Sequence, residues 1–148
     1  MQRINSHPTG WQIWLARFCV SLVLCINLEC AFAFLLQPER YAPGFLLEGI
    51  PGETLVRGIG LLFVMWNVPY LAALLNLHYR WVSLIEAIWM QTIGLAGESI
   101  LYIGLPAGYD TLRASGLRFI AFDGAGLLLL LLALWLAVRF KPGKVPGS

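Results

Sequence analysis

Residues 81–103, WVSLIEAIWMQTIGLAGESILYI, constrain the fold more than any other stretch of the chain. At a rise of about 1.5 Å per residue this run is long enough to cross the hydrocarbon of a bilayer as one helix, yet it carries Glu86, Gln91 and Glu98 among its apolar residues. Groups of that kind have to face something other than lipid. Turned at about 100° per residue, Ala87, Gln91, Gly94, Glu98 and Tyr102 fall on one stripe, while Trp81, Ile85, Trp89 and Ile93 fall mostly elsewhere. A helix with one small, polar side and one bulky side packs the first against neighbouring helices and turns the second to acyl chains.

Three further apolar runs accompany it, which places the expected spans at about 14–36, 55–77, 81–103 and 117–138. The chain is 59% hydrophobic and 12% charged, whereas a water-soluble domain carries charge on about a quarter of its residues; the missing charge is surface that meets lipid. Trp11 and Trp14 read as an aromatic belt at the start of the first run. Residues 37–53 (QPERYAPGFLLEGIPGE), rich in Pro and Gly, form an outer loop with room for a short surface helix around 45–48. The link His78-Tyr79-Arg80 permits only a tight hairpin, so the spans it joins are antiparallel neighbours. The expected fold is all-α, an antiparallel integral membrane four-helix bundle forming a single domain over residues 1–148. Ala31-Phe32-Ala33 fits a signal-cleavage pattern, but the apolar run before it is too long and is interrupted by Glu29.

Basic residues orient the bundle. With both termini in the cytoplasm, Arg3, Arg17, Arg80, Arg139, Lys141 and Lys144 lie inside, while Arg40, Arg57, Arg113 and Arg118 lie at or near the outer side.

Several classes of function are disfavoured. A net charge of +2 and no basic cluster beyond the C-terminal tail argue against a nucleic-acid partner. Cys19, Cys25 and Cys30 all lie in the first apolar run without a Cys-x-x-Cys pair, which reads as packing and not as thiol-disulfide chemistry. His7 and His78 flank the membrane, so no histidine pair holds haem or a metal ion inside it; neither metal nor cofactor is expected. Gly58-x-Gly60 and Gly124-x-Gly126 read as close-packing positions.

The polar residues inside the spans are the candidate site. Glu29 lies near the middle of the first span and Asn67 near the middle of the second, where Pro69 predicts a kink around 65–69 with freed carbonyls. Gln91 and Glu98 lie in the third span and Asp123 in the first third of the fourth. The expected arrangement is an outward-opening acidic pocket of Glu29, Glu98 and Asp123 over Asn67, with Arg57 and Arg118 above it and Glu86 paired separately with Arg17. The competing structural reading pairs Glu98 with Arg57 and Asp123 with Arg118, only to fix which helices meet.

Arg17 near the start of the first helix, the outer-loop segment GIPGETLVRGIGLLF, the tight inner hairpin and Asp123 in the last helix give the chain a pattern that resembles the small bacterial four-helix membrane proteins related to DoxX. That resemblance implies an accessory membrane subunit, in a group with links to quinone and thiol redox systems. The expected function is a non-enzymatic accessory or small-ligand-binding bundle. Two alternatives are a proton-coupled carrier of a small cationic or lipophilic substrate with Glu29 as its binding acid, and a membrane isomerase or oxidoreductase subunit acting on a lipophilic substrate through Glu98 or Asp123. The expected partners are the lipid bilayer and either other membrane subunits or a second copy of the chain.

Overall fold

A computed structural model describes residues 10–75 and 81–139, and the regular structure among them is helical throughout. Helix α1 spans Gly10–Leu36 and is followed by the single turn α2 (Pro38–Tyr41) and a 3-10 turn (Ala42–Phe45). Helices α3 (Gly49–Trp66), α4 (Val68–Leu75), α5 (Trp81–Gly104) and α6 (Asp110–Arg139) complete the order. Among the described residues, three stretches are long and apolar enough to cross a membrane: Gly10–Leu36, the α3–α4 pair as Gly49–Leu75, and Asp110–Ala137. Only 33%, 22% and 22% of their most apolar windows is buried inside the protein, so most of that surface is left for lipid. Helix α5 is outside this set, because its polar residues dilute an otherwise apolar run.

The helices begin earlier than their apolar residues do. Helix α6 starts at Asp110 and not near 117, with an acid in its first turn where the helix dipole favours one. Arg113 ties that turn to the end of α5 by donating to the Leu105 carbonyl and by lying 5.5 Å from the centroid of the Tyr102 ring. The outer loop is similarly more ordered than its composition implies. Pro38 and Pro43 open the two short turns, and Leu46 closes them in the left-handed region at φ 56° while its N–H donates to Pro43 O at 3.0 Å. The surface helix expected around 45–48 therefore sits at 38–45, and α3 begins at Gly49. The hairpin at 78–80, the residues before Gly10 and the basic tail with Lys141 and Lys144 lie outside the described residues.

The second apolar stretch breaks at Asn67, between α3 and α4. Pro69 cannot donate a backbone hydrogen bond to the carbonyl one turn before it, and in the turn that ends α3 both the backbone N–H and the side-chain Nδ2 of Asn67 donate to Phe63 O, at 3.2 and 2.6 Å.

Surrounding lipid is as apolar as leucine, so helices in a membrane gain little by burying large side chains and instead gain by approaching closely. The core mixes small residues, which permit such an approach, with a few large ones, Leu84 and Leu130 being fully buried. Ala16, Cys19, Val20, Val23, Ala73, Ala87 and Ala133 are buried where α1, α4, α5 and α6 meet, while Trp14, Phe18, Trp89, Ile93, Leu128 and Trp135 are exposed. At Gly60 the α3 backbone approaches α1 so closely that a Cβ would lie 2.9 Å from Ala31 O. Beside that contact is an aromatic cluster: Phe34 lies 5.0 Å from Tyr41, 5.9 Å from Phe45 and from Phe63, and 6.2 Å from Phe119 between ring centroids. Ser115 Oγ donates to Gly44 O at 2.7 Å, pinning the 3-10 turn onto the first part of α6.

Candidate functional site

Inside this apolar frame, polar side chains from α4, α5 and α6 form one hydrogen-bonded chain. Tyr70 Oη donates to Gln91 Oε1 at 2.5 Å, and Gln91 Nε2 donates to Asp123 Oδ1 at 2.8 Å. Gln91 is thus satisfied at both ends, which is what allows an amide to be 4% exposed. About two turns further along the same stripe of α5, Glu98 turns its carboxyl to Asp123, and its Oε2 is buried without a partner. Asn27 of α1 faces the Tyr70 hydroxyl from the other side. Asp123 lies about 20 Å along α6 from Asp110 and about 8 Å from Arg118.

Two glycines make the arrangement possible. A Cβ at Gly94 would lie 2.3 Å from Asp123 Oδ2, and one at Gly126 would lie 2.6 Å from Gln91 Nε2. Each polar group therefore occupies the space that a side chain on the opposite helix would take. By contrast, Gly58 and Gly97 have nothing within 4 Å of a Cβ, and Gly124 has only an ordinary contact at 3.9 Å. Only one member of each expected Gly-x-Gly pair is a close-packing position.

The chain borders a cavity of about 40 Å³, lined on its polar side by Asn27, Tyr70, Gln91, Glu98 and Asp123 and on its apolar side by rings that include Phe63 and Trp66. That is room for one small polar group or a water molecule. Cys30, Phe119 and Phe122 form a wall shared with a second, larger cleft of about 440 Å³ between α1, the 3-10 turn and α6. No group of three or more His, Cys, Asp or Glu able to hold a metal ion occurs among the described residues.

The expected site residues are thus divided. Gln91, Glu98 and Asp123 meet, and Asn67 is buried one turn from Tyr70 with its Oδ1 unpartnered, although it does not line the cavity. Glu29 does not join them: it is exposed on the opposite side of α1, and it lines neither cavity. The buried face of α1 runs through Ala16, Cys19, Val20, Val23, Ala31 and Phe34, and residues 27 and 29 are about 200° apart on a helix, so a register that brings Asn27 inward sends Glu29 outward.

The expected charge partners are elsewhere too. Arg57 lies 3.8 Å from Glu53 of its own helix, the one ion pair among the described residues, and Arg118 lines the larger cleft without reaching Asp123. Glu86 is exposed and forms no ion pair with Arg17, whose guanidinium lies 6.0 Å from the Trp14 ring. The register pairs Glu98–Arg57 and Asp123–Arg118 are absent. The residues that complete the cavity and went unselected in the sequence are Tyr70, Asn27 and Cys30. Tyr70 had a signal: its hydroxyl follows Pro69 directly, at the level where the helix must open.

Compared with known proteins, the chain matches no family model, no curated protein and no solved structure.

Proposed function

We propose that the protein is a multi-pass protein of a bacterial cytoplasmic membrane, with α5 as a fourth span in an antiparallel bundle whose ends both lie in the cytoplasm, and that it serves as a non-enzymatic ligand-binding or accessory bundle. The observation that carries this reading is the chain Tyr70–Gln91–Asp123 with Glu98, bordering a cavity inside the bundle and fitted against glycine on both α5 and α6. Polar groups placed so deep are expensive in hydrocarbon, and small-molecule sites in bundles form from such groups on facing helices. Counterions do not account for the two carboxyl groups, since no arginine among the described residues pairs with them. With Phe63, Trp66, Phe119 and Phe122 around it, the acid pair makes a site for the small cationic end of a lipophilic ligand, attracted by both the carboxyl groups and the ring faces. The pattern resemblance to the DoxX-related proteins agrees with an accessory role. A carrier working through Glu29 has no support in this arrangement, because that residue stands outside the cavity.

The test is a binding titration of phenethylammonium against the full-length protein in lipid nanodiscs, with the uncharged phenethyl alcohol as control. The ammonium compound is expected to bind at least tenfold more tightly, and Glu98→Gln with Asp123→Asn is expected to abolish the difference. Equal binding of the two compounds, or an unchanged preference in the double variant, overturns the reading.

A further inference from the structure

The larger cleft differs from the inner cavity in charge and in where it leads. Its walls carry two guanidinium groups, Arg40 from α2 and Arg118 from α6, and no carboxylate. Both arginines are exposed, and neither forms an ion pair among the described residues; Arg40 lies 6.0 Å from the centroid of the Tyr41 ring. Between and below them the walls are apolar, formed by Phe34, Phe45, Phe119 and Phe122. Arg40 lies just past the end of α1, Arg118 about 12 Å along α6 from Asp110, and Ile26 about 15 Å back along α1 from Leu36. The cleft therefore begins at the end of the bundle, where headgroups lie, and runs down into the level of the acyl chains.

We propose that this cleft binds one anionic phospholipid drawn from the surrounding bilayer, with its phosphate between Arg40 and Arg118 and the upper part of an acyl chain against the aromatic walls down to Ile26. Guanidinium groups suit phosphate because their fixed fork of N–H donors matches its oxygens, and a cation at the headgroup level gains further from an anionic lipid. The apolar floor selects a lipid over free phosphate, which has no use for it. The volume of about 440 Å³ suits a headgroup with part of one chain, not a whole phospholipid, and the remainder of the lipid stays in the bilayer. This site takes the opposite charge from the inner cavity and does not depend on what that cavity binds.

The experiment is native mass spectrometry of the full-length protein in an uncharged detergent, offered equal amounts of dioleoyl phosphatidylglycerol and dioleoyl phosphatidylcholine in the same sample. The wild-type protein is expected to retain the glycerol lipid about tenfold more. Arg40→Gln with Arg118→Gln should bring the ratio to within twofold of unity, and Arg118→Gln alone should lower it about threefold. Arg57→Gln, at an exposed arginine already paired with Glu53, should leave the ratio unchanged. Ile26→Trp, which fills the deep end without altering charge, should reduce retention of both lipids. An even ratio in the wild-type protein, or a preference that survives the double Arg→Gln change, overturns the proposal. So does a thermal stabilisation by inorganic phosphate alone equal to that given by the glycerol lipid, which would mark an anion site indifferent to lipid.

Discussion

The polar layer around Gln91 and the arginine-lined cleft share a wall, yet they are built on opposite principles. In the layer, donors and acceptors on α4, α5 and α6 engage one another, and glycine on the facing helix leaves room for each. In the cleft, Arg40 and Arg118 stand at an open edge without an acid beside them. The difference teaches that, in this bundle, Tyr70, Gln91 and Asp123 are built into the packing by engaging one another, whereas among the described residues Glu98 Oε2 inside has no hydrogen-bond partner and the two arginines at the edge have no ion-pair partner. Substitutions at Gln91 and at the glycines fitted against the layer should therefore disturb assembly, and substitutions in the cleft should disturb binding with assembly intact.

The largest expected effect tests the fit of the layer. Gly94→Ala forces Asp123 away from Gln91 and should cost about 2–3 kcal/mol, read as a lower unfolding midpoint in detergent, whereas Gly97→Ala on the open side of the same helix should be neutral or gain up to about 1 kcal/mol from helix propensity. If both alanines behave alike, the layer is not closely fitted and the comparison breaks. A smaller effect is expected from Gln91→Leu, which removes the link while keeping the bulk. Interhelical hydrogen bonds in membranes are worth about 0.6–1.7 kcal/mol, and a loss in that range, with Tyr70 and Asp123 no longer joined, would sharpen the contrast. On the cleft side, Arg118→Gln should shift the midpoint by less than about 0.5 kcal/mol, so a larger loss would mean that the arginine is built into the fold. The smallest effect of all is expected for Glu29→Gln, because that carboxyl is exposed and touches neither region; a change in ligand binding or assembly measured for this variant would place the site elsewhere.

The same contrast bears on what was legible in the sequence. Helix α5 could be read because its two sides differ: the stripe of Ala87, Gln91, Gly94 and Glu98 is the side that meets α4 and α6, and Trp89 and Ile93 are exposed on the other. The break at Asn67 could be read because proline imposes it locally. Helix α1 could not be oriented in this way, since it is apolar almost all round, with Asn27 and Glu29 on opposite sides, and only its contacts with α3, α4 and α6 decide which of the two turns inward. The cost of a carboxyl group in hydrocarbon favours turning Glu29 inward, and the packing of Ala31 against Gly60 sets the opposite register. The cleft was equally hidden. It depends on the short turns at 38–45 folding back onto Ser115, a contact between residues 71 positions apart that no local pattern encodes.

The interruption at Asn67 has a mechanical consequence. Tyr70, the first link of the polar chain, hangs from the short segment beyond the break, while Phe63 and Trp66 belong to the longer segment before it. Proline keeps the two pieces from fusing into one stiff rod, so the hydroxyl and the two rings that border the same cavity are carried on separately directed segments.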